Sequence, residues 1–222
     1  MTGSLLEAVQ GLLTRTFRLT APLEAIGRYV IGDAGLRLLY ADRPQEVYSA
    51  AGEGAKLLVR EDGSAVRACI YYPDAMIAAL EAYPPQRGLG DRNVQAFAAL
   101  VEELDHLLTA ADRAHRERSI SLLELELHAN VSKYLVLARF SAGRGGRLDP
   151  GRRLWLRQRL FGAAEFSSAD PGVRRRYRDA VRFAVRFLDR LEVERPAARL
   201  DALRRFHRAP LQEMGTATIH HP

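Results

Sequence analysis

Cysteine is nearly absent from this chain of 222 residues. The single Cys69 excludes an intramolecular disulfide and any cysteine-rich zinc module. That usage suits a reducing compartment, so the expected location is the cytoplasm. No apolar run approaches the roughly 18 residues needed to span a membrane. Leu5 to Leu19 intersperses its leucines with Gln10, Arg15 and Arg18, which makes it an amphipathic helix rather than the apolar stretch of a secretion signal. Lysine is scarce as well, occurring only at Lys56 and Lys133. There is no P-loop, no RNP-like motif and no helix-turn-helix glycine pattern, which removes the commonest nucleotide and nucleic-acid signatures.

What is present is apolar residues and arginine. Nearly half the chain is apolar (47%), enough for a sizeable core. The net charge of +6 is unevenly placed: residues 1–140 carry a balance of −3 and residues 141–222 a balance of +9. The length fits one domain, or a domain with a helical extension.

Periodicity predicts an α+β fold. A helix is expected over 3–14. Tyr29-Val30-Ile31 and Leu36-Arg37-Leu38-Leu39-Tyr40 read as short strands around the turn-forming 32–35. A hairpin follows, with arms at 56–60 and 66–70 and an Asp62-Gly63 turn. The second arm extends to Tyr72 and stops at Pro73, which cannot donate to a ladder. Residues 74–82 are helical, and long helices are predicted from about Asn93 to Ala114 and from Ser119 or Ser121 to Phe140. The segment 141–151, with four glycines and a proline, is the candidate linker. It separates an α+β core (1–141) from a basic helical extension (150–222) with helices near 152–161, 171–191 and 197–206. The expected architecture is a small antiparallel sheet packed on two long central helices, followed by that extension.

Chemistry concentrates on the two long helices. Glu102 and His106 are four residues apart, so they share a face and can bind one ion together. That face lies opposite Phe97, Val101, Leu104 and Leu108, and an ordinary solvated face is the competing reading. The second helix is apolar nearly all round, so its polar groups need partners. They form two rows, Glu124 with His128 and Glu126 with Asn130 and Lys133. Either row offers further ligands for an ion, and Glu124, His128 and Asn130 stand as alternatives to Glu126. A buried Glu126–Lys133 or Glu124–His128 pair of structural role is the other reading.

The run Glu102-Glu103-Leu104-Asp105-His106 resembles the zincin metallopeptidase motif H-E-x-x-H with its first histidine replaced by Glu102. In the gluzincin branch a glutamate ligand follows by about twenty residues on a later helix, and Glu126 stands there. The resemblance covers about 65–135 and implies that Glu102, His106 and Glu126 are ligands to a divalent metal. It implies that Glu103 is the general base taking a proton from the attacking water, with Lys133 or Tyr134 polarising an oxyanion. Asn130 would support the first ligand, and the 66–72 strand would align a peptide or protein substrate along a sheet edge. One histidine with two carboxylates is a harder donor set than the zincin one, which shifts preference from zinc towards iron or manganese. Glu103-Leu104-Asp105-His106 is also an E-x-x-H, the unit of di-iron bundles, but a second copy is missing.

In the extension, Arg174, Arg178, Arg182, Arg186 and Arg190 recur every four residues along one predicted helix. They form a slanting basic band able to fork onto phosphates. The chain is thus expected to be a metal-dependent hydrolase of zincin type. The alternative is a non-enzymatic module that binds nucleic acid or an acidic protein through its arginines. Neither pattern fixes an oligomeric state.

Overall fold

The structure, a computed structural model, describes residues 4–42, 54–62, 65–142, 146–162 and 170–209. Helix α1 (Leu5–Phe17) opens with a capping box, Ser4 accepting from the Glu7 amide while the Glu7 carboxylate accepts from the Ser4 amide. It buries Val9, Leu13 and Phe17, one residue per turn. The chain turns out of the helix through Arg18 in the left-handed region (φ 56), a conformation that costs about 1–2 kcal/mol for a residue with a Cβ.

The two predicted arms pair as a hairpin, and Gly63 and Ser64 of the predicted turn lie outside the described residues. Strand β2 (Lys56–Asp62) pairs antiparallel with β3 (Ala65–Tyr71), Leu57 opposite Ile70 and Leu58 opposite Cys69. The sheet is nevertheless mixed. The two-residue β1 (Val30–Ile31) lies parallel to Ile70–Tyr71, giving the order β1-β3-β2. The strand holding residues 66–71 is therefore the middle one, not the edge expected from the resemblance.

The other predicted strand is a helix. Leu36–Leu39 belong to α2 (Asp33–Leu39), which the periodicity of so short a segment cannot distinguish from a strand. Its start is set from outside: the Asp74 carboxylate accepts from the Asp33 amide at 3.0 Å. A Cβ on Gly32 would meet that carboxylate at 2.2 Å, which explains the glycine there.

Asp74 also begins α3 (Asp74–Ala82), and Asn93 ties the following loop down by bonding Tyr83, Gly88 and Gly90 backbone groups. The two long helices follow as predicted, α4 (Val94–His115) and α5 (Leu122–Ser141). The sheet leans on the first half of α4, where the Tyr72 hydroxyl donates to the Ala96 carbonyl at 2.6 Å. Helices α6 (Pro150–Arg157), α7 (Pro171–Val193) and α8 (Pro196–Arg208) complete the chain.

One hydrophobic core runs through both parts of the sequence. Val9, Leu13 and Phe17 of α1, Ile70 of β3, the apolar faces of α4 and α5, Ala180, Ala184 and Leu188 of α7 and Leu203 and Phe206 of α8 belong to a single cluster. The alanine row lets α7 approach closely, and its remaining faces carry the arginines. This packing changes the setting of Glu102 and His106. The face of α4 opposite Phe97 and Val101 is covered rather than solvated, and the His106 side chain is only 12% exposed. Among the described residues no helix is long and apolar enough to cross a membrane.

A candidate metal centre and a buried histidine pair

Two polar ladders cross the α4–α5 seam, and helical periodicity keeps them apart. On one side lie Glu102, Glu103 and His106 of α4 with Glu126 and Lys133 of α5. On the other lie Asp105, Thr109 and Asp112 of α4, at spacings of four and three, with His128 of α5.

In the first ladder, Glu102, His106 and Glu126 each offer one ligand atom, and these atoms all lie within 4.8 Å of one another. His106 Nε2 is 4.0 Å from Glu126 Oε2. Both atoms are buried without a hydrogen-bond partner. Buried orphans of this kind are uncommon, because each loses its hydration without replacement. Two members of the group have outer partners as well: Lys133 Nζ donates to Glu102 Oε2 at 2.9 Å, and the Glu103 carboxylate sits 3.6 Å from His106 Nδ1.

The electrostatics follow from that crowding. Burial disfavours the His106 imidazolium, but the Glu103 contact and the charges of Glu103, Glu126 and Glu102 outweigh it and raise its pKa to about 9. Burial pushes the Glu126 carboxyl up, opposed by His106 and Lys133. Burial and the same two glutamates, Glu126 and Glu102, raise the Tyr177 phenol to about 12.

The alternative ligands serve elsewhere. Glu124 is the third helical residue of the Ser121 capping box and holds the start of α5. Asn130 donates to the Glu126 carbonyl at 2.8 Å, so its amide supports the helix backbone. Tyr134 donates to Glu192 at 2.6 Å, across the seam between α5 and α7 and away from the orphaned pair. His128 belongs to the second ladder. Of the arginine band, Arg178, Arg182 and Arg186 are exposed and Arg174 is half-buried, and Arg182 pairs with Asp179 at 3.1 Å.

The second ladder is one that the sequence does not advertise. His128 Nδ1 meets Asp105 Oδ2 at 2.8 Å, and His128 Nε2 meets Nδ1 of His207, on α8, at 3.1 Å. His207 Nε2 then meets Asp112 Oδ2 at 3.0 Å. All four residues are at most 4% exposed. Asp112 is the most heavily used, accepting also from the Thr20 amide and hydroxyl, the Ala21 amide and Arg116 Nε. The left-handed turn at Arg18 brings those two amides to it.

Proton counting fixes the charge of this chain of contacts. Each of the three contacts needs one proton, and two neutral imidazoles supply two, so one ring is an imidazolium. Burial and the neighbouring His128 hold His207 down at about 4, opposed by Asp112, so His207 is the neutral ring. Two carboxylates are then balanced by one imidazolium and Arg116. Burial opposes ionisation of Asp105, yet His128 more than offsets it and keeps that carboxyl below its ordinary range. Burial opposes the ionisation of Asp112 too, and its donors Thr20, His207 and Arg116 outweigh it and hold that carboxyl well below the ordinary carboxylate range.

A sequence signal for this network exists in retrospect. Asp105, Thr109 and Asp112 lie along one line of α4 at spacings of four and three, and His207 continues the Leu203 row of α8 by one turn. No protein-family model, curated protein or solved structure matches this chain.

Proposed function

We propose that this protein binds one divalent transition-metal ion between α4 and α5 through Glu102, His106 and Glu126, and that it is a metal-dependent hydrolase of zincin-like type. The observation that carries the metal reading is the orphaned pair, His106 Nε2 and Glu126 Oε2, buried and facing each other across 4.0 Å. Two donors about 2.1 Å from one ion at a tetrahedral angle stand about 3.4 Å apart. A contraction of about half an ångström brings that pair to ligand spacing. The donor set of one imidazole and two carboxylates favours manganese or iron over zinc. A metal there supplies Lewis acidity for hydrolysis.

Glu103 has two roles to choose between. The motif resemblance makes it the general base. Its position beside Nδ1 instead suits holding the ring so that Nε2 faces the ion, as outer-sphere carboxylates do for ligand histidines. Glu103→Gln separates them: as base, its loss abolishes hydrolysis of unstructured peptides with metal retained. As ring partner, its loss weakens the metal about 10–100-fold, which is the result expected from the geometry.

The decisive measurement for the proposal is metal content by mass spectrometry on untagged protein prepared without chelator, beside a Glu102→Ala/His106→Ala variant. Near-stoichiometric metal that vanishes in the variant supports the site. Equal, negligible metal in two equally stable proteins leaves the cluster as an ion-pair network. The alternative, an anion-binding module, rests on the exposed Arg178, Arg182 and Arg186 and would show a steep fall in duplex binding with salt.

A further inference from the structure

Strand β2 stands at the end of the sheet order, and among the described residues it pairs with β3 alone. Its seven residues, Lys56–Asp62, run against β3 in unbroken register from Lys56 opposite Tyr71 to Asp62 opposite Ala65. An edge strand presents a row of unpaired backbone donors and acceptors, which proteins blunt with bulges, prolines or charges. β2 has no bulge and no proline. Leu57, Val59 and Glu61 occupy one face of the hairpin with Ile70, Ala68 and Val66, and on that face the apolar character outruns the core. Ile70, opposite Leu57, is fully buried, whereas Val59 is 57% exposed and Val66 is 67% exposed.

The charges of β2 select one partner. A second copy of the strand can pair antiparallel with it about a two-fold axis normal to the sheet. Side-chain alternation then requires one residue to lie opposite its own copy. Five or more residues overlap only when that residue is Leu58, Val59 or Arg60. Centring on Leu58 sets Lys56 opposite Arg60, and centring on Arg60 sets that arginine opposite itself. Like charges directly opposite destabilise a pair. Centring on Val59 overlaps all seven residues and sets Lys56 opposite Asp62, Leu57 opposite Glu61 and Leu58 opposite Arg60. It also closes the exposed valine against its copy. We propose that the β2 edge is a self-association surface, on which two copies of this chain join antiparallel about Val59. The two sheets then become one, in the order β1-β3-β2-β2-β3-β1. Charges that repel most other strands serve here to fix the register of this one.

Sedimentation velocity on the full chain over a concentration series reads the pairing, with circular dichroism checking that each variant folds. Wild type should pass reversibly from monomer to dimer, because one strand is a smaller contact than a standard interface. Lys56→Asp or Asp62→Lys sets like charges opposite at two symmetry-related places, which should weaken the dimer about tenfold. The double variant Lys56→Asp/Asp62→Lys restores the match and should return the Kd to near the wild-type value. Val59→Lys sets two ammoniums against each other at the axis. At so exposed a position it should leave the fold intact and the chain monomeric. A wild type that stays monomeric throughout overturns the proposal. So does a dimer that ignores Val59→Lys, or a pair of single swaps that the double swap does not rescue.

Discussion

Asp112→Ala should be the most damaging single substitution outside the hydrophobic core, costing about 3–5 kcal/mol of stability. The carboxylate is completely buried and serves five donors: the Thr20 amide and hydroxyl, the Ala21 amide, Arg116 Nε and His207 Nε2. Truncation leaves those groups desolvated and unpaired, and it leaves the His128–His207 pair with one carboxylate instead of two. Replacing a buried partner is dear because the survivors keep their desolvation and lose their compensation. Asp112 also closes the fold in a topological sense, since it joins the exit of α1 to the end of α8. The Arg113 guanidinium adds to the same anchorage by donating to the His207 carbonyl at 2.7 Å. Urea denaturation of the metal-free protein checks this, and a loss below about 1 kcal/mol would sink the account.

The same network gives acid sensitivity of a definite sign. His207 titrates near 4 in the fold, against an ordinary value of 6.5. The unfolded chain therefore takes up this proton first as pH falls, and stability is lost progressively from about pH 6.5 down to about 4. The shift corresponds to a loss of about 2–4 kcal/mol. The depressed Asp112 carboxyl extends the loss to lower pH, because its contribution is present above the ordinary carboxylate range and disappears as it is protonated.

The metal candidate was legible in the sequence for a reason the histidine pair was not. Glu102 and His106 sit at a spacing that shares a face, and the motif resemblance supplied the distance to Glu126. The structure brings these three together. The second ladder depends on His207, about eighty residues beyond His128, and no local period encodes a meeting between α5 and α8. A similar limit explains Leu36–Leu39. Seven residues give two helical turns at most, and only the Asp74 cap and the contact with β3 decide for helix. The two rows on α5 were visible as rows. Which of them faced which part of α4 was decided by packing: Glu126 and Lys133 meet Glu102 and His106, while His128 turns to Asp105.

The two ladders also differ in what they ask of a ligand. Around Asp105, His128, His207 and Asp112 the donors and acceptors match, the charge sums to zero with Arg116, and every contact is at hydrogen-bond distance. Around Glu102, His106 and Glu126 two buried atoms have no hydrogen-bond partner, and their closest approach is 4.0 Å. A network of the first kind stabilises as it stands. The second kind is satisfied by a cation placed between the orphans, so the two sites predict opposite responses to added metal.

Metal affinity should rise about hundredfold between pH 6 and pH 8, because the ion must displace the proton of His106. In the metal-free fold that proton is held until pH about 9, kept there by Glu103, Glu126 and Glu102 against the cost of burial. Below that value each pH unit costs about tenfold in apparent affinity. The sign for metal-free stability runs the other way. A histidine whose folded pKa lies above its ordinary 6.5 contributes stability fully present below about pH 6.5 and lost as pH climbs towards 9. The metal-free protein should thus weaken over the same range in which the ion binds more tightly. Lys133→Met sharpens the contrast. It removes the ammonium 2.9 Å from Glu102, which costs metal-free stability, and it removes a positive charge near the ion, which tightens binding on the order of tenfold. Titration with manganese(II) at pH 6, 7 and 8, beside denaturation with and without the ion, reads both quantities. Stability that falls with pH identically in both conditions would mean that His106, Glu103 and Glu126 form an ion-pair network and nothing more.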